Sequence, residues 1–248
     1  MRVLITRPLN LAIELAKKIT QMGDVAELLP VIEISDTPKK IELQTAINIL
    51  DKQDMIIFIS RSAVDYGMPA IRKRWPTLPN ILWAAIGPGT ATALESHGIT
   101  NVIFPKAPPY ESEALLALPD FQSLHNKQIY IFRGNGGRAL LSNILTTRGA
   151  VVKAIETYQR SLPVVNMGEK IKQWEARPID IIVTTSPEGL HNLATLTQDK
   201  LKNIPIIVVG ERNYQLAKKL KFKRPIIVTS ADDASMIEVL EKFKDKHT

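Results

Sequence analysis

The chain alternates short apolar runs with longer stretches in which apolar residues recur at helical spacing. The runs "RVLIT", "MIIFIS", "ILWAAIG", "QIYIF", "DIIVTT", "PIIVVG" and "PIIVTS" have strand length, and most lack the every-second-residue polarity of a strand with one wet face. They are predicted to be buried parallel strands. Between them, Leu11, Leu15, Ile19 and Met22 fall at helical spacing and stop at Gly23, while Leu141, Ile144 and Leu145 lead to Gly149 in the same way. Strands alternating with helices predict an α/β fold with parallel sheets.

The pattern also repeats. "VLITRPLNLAIELAKKITQMGDV" aligns with "YIFRGNGGRALLSNILTTRGAV" so that Arg7 meets Arg133 and Gly23 meets Gly149, each pair 126 residues apart. "DMIIFISRSAV" aligns with "DIIVTTSPEGL" at the same offset, matching Asp54 to Asp180 and Ser60 to Ser186. A third block matches Gly87 to Gly210 and Ser112 to Ser235 at an offset of 123. Three blocks in one order predict two related α/β units produced by internal duplication.

Composition narrows the function. A length of 248 residues with 45% hydrophobic content suits one or two domains with a sizeable core. No apolar run approaches the roughly 18 residues of a membrane span, and "MRVLITRP" enters a strand pattern directly. The expectation is a soluble cytoplasmic protein with no membrane partner. The absence of cysteine excludes disulfides and thiolate catalysis, and His97, His125, His191 and His247 lack metal-ligand spacing, so no metal is expected. A net charge of +7 and a pI near 9.5 favour an anionic partner. The basic clusters "KRW", "KKLKFKR" and "KFKDK" fall at helix ends or polar faces, and no nucleic-acid signature accompanies them; nucleic acid is not expected.

One glycine-rich turn invites a second reading. In "FRGNGGR", Gly134, Gly136 and Ala139 meet G-x-G-x-x-[GA], and Glu156 lies about twenty residues on, where a dinucleotide ribose would be held. The repeat weakens this reading. The matching loop of the first copy, "TRPLNLA", has no glycine, and Pro30 stands where Glu156 does. A carboxylate suits free amides at a helix start as well as a phosphate does.

Taken in order, "VLITRP", "IFISRSAV", "AIGPGTATAL" with "GI" following, "FRGNGGR", "ETYQRS", "TTSPEGL" and "VVG" resemble the uroporphyrinogen-III synthase family over essentially the whole chain. The resemblance implies a two-domain α/β enzyme, a lyase working without a cofactor and expected to be a monomer. One domain would comprise residues 1–33 and 162–248, the other residues 36–157, with crossings at "PVIEIS" and "ETYQRS" that pair as a two-stranded β linker. Sequential units, 1–125 and 126–248, fit the repeat equally well. The implied substrate is hydroxymethylbilane, a linear tetrapyrrole with eight carboxylates. Loss of its terminal hydroxyl gives an azafulvene, the substituted carbon of the last pyrrole attacks it, and the spiro intermediate fragments so that ring D leaves inverted. Uncatalysed closure gives the uninverted isomer, so holding the reactive ends in one geometry is the main task. A hinge-closing α/β binding protein for a polyanion, without turnover, is the alternative.

Several strand-to-helix turns supply candidate substrate-binding residues. Arg133, Gly134, Asn135, Gly136 and Arg138 form the glycine-rich turn, whose glycines can adopt positive φ and whose arginines can grip carboxylates. Ser60, Arg61, Ser62 and Ala63 open a helix after "MIIFI", and Ser186 with Gly189 does so in the matching unit. The two serines read as helix caps with ligand-facing amides, not nucleophiles, because no base is placed to activate them. Gly87, Gly89 and Thr90 open another helix, Gly210 is their counterpart, and Arg7 matches Arg133. Tyr158, in the second crossing, is the expected proton donor for the departing hydroxyl.

Overall fold

A computed structural model describes residues 1–137, 139–228 and 230–246. Its strands are β1 (Arg2–Ile5), β2 (Val25–Leu28), β3 (Glu33–Asp36), β4 (Met55–Phe58), β5 (Leu82–Ala85), β6 (Val102–Ile103), β7 (Gln128–Gly134), β8 (Val151–Ser161), β9 (Ile181–Val183), β10 (Ile206–Val209) and β11 (Pro225–Val228). The helices are α1 (Leu9–Gln21), α2 (Lys40–Asn48), α3 (Arg61–Arg74), α4 (Pro88–Glu95), α5 (Ser112–Leu116), α6 (Leu140–Thr147), α7 (Met167–Ala176), α8 (Pro187–Thr197), α9 (Gly210–Lys219) and α10 (Asp233–Asp245). All seven apolar runs contain a strand. Sequence patterning missed β2, which is only partly buried, and β6, which has two residues.

Two compact units emerge, Met1–Glu33 with Ser161–Thr248, and Ile34–Arg160. The first is built on a five-stranded sheet in the order β11-β10-β9-β1-β2, so strands from both ends of the chain share it. The second has six strands in the order β3-β8-β7-β4-β5-β6. β3, which begins inside "PVIEIS", and β8, which runs through "ETYQRS", are neighbours there. The offsets of 126 and 123 equate β1 with β7, β2 with β8, β4 with β9 and β5 with β10. The equated strands take corresponding places in the two sheets, and the pairings among them are parallel.

A matching pin sits at the amino edge of each sheet. The Asp54 carboxylate accepts the Gln128 amide at 2.8 Å, and Asp180 accepts the Arg2 amide at 2.6 Å, each holding the first residue of the neighbouring strand in register. Lys127 adds 2.8 Å to Asp54, and these contacts hold the Asp54 carboxyl below its ordinary value.

The cores follow from the apolar runs. Val3, Ile5, Ala12, Leu15, Ile19, Ile181, Val183 and Ile207 pack together in the first unit. Leu11, grouped with Leu15 and Ile19 from its spacing, is 45% exposed; Ala12 takes its place on the buried face, because 12, 15 and 19 lie closer to one stripe. In the second unit Phe58 stacks on Phe132 at 4.9 Å, and α3 comes down over them at Gly67. A Cβ there would lie 3.0 Å from Thr157 and 3.4 Å from Phe58, so the absent side chain sets how near α3 lies to β7 and β8.

Candidate active site at the carboxyl edge of the second sheet

In an open parallel sheet, ligands bind outside the carboxyl ends of the strands, where the direction of the crossovers reverses. In the second unit the chain runs from β4 outward through β5 to β6, then returns to the far side of β4 for β7 and β8, so the reversal lies between β4 and β7. Ser60 follows β4, and Gly134 ends β7. Gly87, Gly89 and Thr90 follow the adjacent β5 at the start of α4. One edge therefore gathers residues that are far apart in sequence.

Tyr158 is the centre of this edge. It is 1% exposed, its ring lies 5.9 Å from that of Tyr66, and its hydroxyl is 3.1 Å from the Ser60 hydroxyl. Arg160 donates from Nη2 to the same phenol oxygen at 3.0 Å, with its guanidinium carbon 5.6 Å from the ring centroid. The hydroxyl is thus bound by protein, not left in water. Arg160 was not singled out from sequence. The available signal was strand periodicity: Tyr158 and Arg160 are two apart on β8 and share a face.

Gly134 explains why the ring can sit there. The glycine-rich turn predicted positive φ at Gly134, Gly136 and Gly137, and the last two have it, at 68° and 92°. Gly134 instead belongs to β7, and its missing side chain answers a different need. A Cβ on Gly134 would stand 2.5 Å from Tyr158 Cζ and 2.6 Å from Cε2, inside the ring's van der Waals envelope. A register shift between Arg133 and Gly134 brings Gly134 opposite Tyr158.

The described residues on either side of Gly134 bond within the turn and to β8. Arg133 donates to the Gly136 carbonyl and reaches the Gly134 carbonyl at 3.4 Å. The Asn135 side chain accepts the Arg160 amide at 2.7 Å and donates to the Arg160 carbonyl at 3.1 Å, extending the ladder beyond β7. Glu156, the ribose contact of the dinucleotide reading, is ion-paired with Lys39 at 3.1 Å. Arg138 lies outside the described residues.

Two helix starts face this edge. Ser60 Oγ accepts the Ala63 amide at 3.1 Å and so caps α3, leaving first-turn amides such as those of Arg61 and Ser62 with no intrahelical acceptor. Arg61 is exposed and lies 3.8 Å from Asp65. At α4, the buried Thr90 donates its amide to the Gly87 carbonyl at 3.2 Å; Gly89 faces open space. Both starts present positive dipole ends suited to carboxylates.

The first unit has its own carboxyl edge, with the crossover reversal between β1 and β9. Ser186 Oγ accepts the Gly189 amide at 3.0 Å, capping α8 as Ser60 caps α3. Gly189 has room for no side chain, since a Cβ would meet Thr184 Oγ1 at 2.8 Å. Gly210, with φ 70°, begins α9. Arg7 is 7% exposed and is ion-paired with Asp233 at 2.7 Å, an acid that sequence reasoning did not connect with it. Burial pushes the Asp233 carboxyl up, but hydrogen bonds from Arg7 and Lys18 outweigh this and hold it below the ordinary carboxylate value.

The family model described as uroporphyrinogen-III synthase HemD matches residues 13–238. The chain belongs to the uroporphyrinogen-III synthase family. The uroporphyrinogen-III synthase of Escherichia coli K12 is 32% identical over 97% of this chain and 100% of its own length, and that of Salmonella typhimurium LT2 matches to the same extent. Among solved structures, a mutant uroporphyrinogen III synthase of the extreme thermophile Thermus thermophilus aligns over 99% of both chains with a TM-score of 0.66 at 18% identity. The Helicobacter pylori uroporphyrinogen-III synthetase aligns over 98% of this chain and 100% of its own, with a TM-score of 0.64 at 18% identity. These structural likenesses give this uroporphyrinogen-III synthase family member the same two-domain α/β fold. Among its described residues, no helix is long and apolar enough to cross a membrane.

Proposed function

We propose that this chain cyclises hydroxymethylbilane to uroporphyrinogen III with loss of water and inversion of ring D. The observation that carries the reading is the phenol of Tyr158, held between Ser60 and Arg160 at the reversal point of a parallel sheet whose neighbouring helix starts suit carboxylates. The departing hydroxyl needs a proton, and a phenol O–H held at this edge can donate one. Electron density from the attached pyrrole nitrogen breaks the C–O bond as the proton reaches the oxygen. The same acid is restored when the closed ring loses its proton, so the net change is loss of one water. Helix starts α3 and α4 hold substrate carboxylates, and Arg61 adds charge at the mouth of the edge. We further propose that the compact units correspond to the two domains of the enzyme, 1–33 with 162–248 and 36–157.

The test is a coupled assay in which hydroxymethylbilane is generated in the presence of the purified protein, and the oxidised products are separated by isomer. Predominant isomer III is expected. Isomer I formed at the rate seen without the protein would overturn the assignment.

A further inference from the structure

We infer that Ser60 delivers the proton and that Tyr158 stands behind it as the source, so that acid catalysis runs through a two-step relay. This rests on the function proposed above. Three contacts carry it: Ala63 amide to Ser60 Oγ at 3.1 Å, Ser60 Oγ to the Tyr158 hydroxyl at 3.1 Å, and Arg160 Nη2 to the Tyr158 hydroxyl at 3.0 Å.

The hydrogen positions follow from which groups can only donate. A guanidinium has no acceptor, so Arg160 takes a lone pair of the phenol oxygen; the backbone amide likewise takes a lone pair of Ser60 Oγ. One hydrogen remains to be assigned between the two hydroxyls. If Ser60 donated to Tyr158, the phenolic hydrogen would have to find another acceptor from a residue that is 1% exposed. If Tyr158 donates to Ser60, that hydrogen is satisfied and the Ser60 hydrogen is released on a half-buried residue at the sheet edge. Buried donors are rarely left unmatched, so the second arrangement is the stable one.

That arrangement is a relay. Ser60 passes its hydrogen to the leaving hydroxyl as the C–O bond breaks, and the Tyr158 proton moves to Ser60 Oγ. The phenolate left behind faces the Arg160 guanidinium. The proton released when the closed ring regains its pyrrole returns along the same path, so atoms and charge balance. The wall of Tyr66 and the close approach at Gly134 fix the ring within the relay. Arg160 acts through Tyr158 and is a positioning residue.

Ser60 also caps α3, so the test must separate the cap from the relay. Ser60→Asn keeps a side-chain oxygen that caps a helix as well as serine does, but has no hydroxyl. We expect Ser60→Asn to lower kcat by about 100-fold, the scale of general acid catalysis, with melting temperature and KM little changed. Ser60→Thr should recover at least about ten-fold of that loss. Tyr158→Phe should lose a similar amount, and the double variant no more than either, because the steps are in series. The wild-type proton inventory in mixed H2O and D2O should curve, as two protons move together. Arg160→Met should lower kcat, and Arg160→Lys should restore part of it. Near-normal turnover in Ser60→Asn, with Tyr158→Phe still impaired, would overturn the relay while leaving Tyr158 as the direct acid. Isomer III produced at full rate by both variants would overturn the relay and the acid role together.

Discussion

Replacing Gly134 with alanine tests the link between packing and chemistry most directly. Gly134 is a strand residue, so alanine is allowed by the backbone and the whole effect must come through Tyr158. The new methyl would begin 2.5 Å from Cζ and 2.6 Å from Cε2, whereas carbon atoms rest at about 3.5–4.0 Å. The ring must therefore retreat by about 1 Å. A retreat of that size away from Ser60 would stretch the present 3.1 Å contact to about 4 Å, beyond hydrogen-bond range. Overpacking of this kind costs roughly 1–3 kcal/mol, which for a chain of this length lowers Tm by roughly 2–12 °C. Turnover should fall by about 100-fold, as expected when a general acid is misplaced. The assay is isomer-resolved kinetics beside thermal unfolding, in Gly134→Ala alone and combined with Tyr158→Phe. The double variant should lose little further turnover and recover none of the stability, because phenylalanine keeps the ring that clashes. Wild-type kcat and Tm in Gly134→Ala would refute the reasoning.

Tyr158→Phe alone should keep the fold, with stability reduced by only about 1 kcal/mol for the lost hydrogen bonds, while kcat drops far more than KM rises; a change confined to Tm would make the tyrosine structural. Asp233→Ala removes the partner of a buried guanidinium and should destabilise the first unit by about 3 kcal/mol, seen as a lower Tm at pH 7; an unchanged Tm would mean that Arg7 is not held by this pair. Because the Asp233 carboxyl is lowered in the folded protein, its contribution is complete above the ordinary carboxylate value near 4 and fades as pH falls through the lowered one. The stability gap between wild type and Asp233→Ala should therefore narrow below about pH 4, and a gap independent of pH would exclude this linkage.

What the sequence determined by itself was whatever depends on near neighbours. Seven apolar runs became strands because an unbroken apolar run is itself a local mark, even where, as in β11, the strand is only partly buried, and Ser60 and Ser186 were legible as caps because a cap acts three residues away. The offset of 126 residues anticipated the matching order of the two sheets, since equivalent strands carry equivalent patterns. Tertiary structure decided whatever depends on contact across the chain. Arg7 meets Asp233 over 226 residues, and Ser60 meets Tyr158 over 98, with no trace in either local segment. The glycine-rich turn shows the division within a few residues: the positive φ of Gly136 and Gly137 is a local property, but the requirement at Gly134 comes from the Tyr158 ring that a register shift lays against it. A glycine needed for its own backbone and one needed to admit a distant side chain are the same letter, and only the packing distinguishes them.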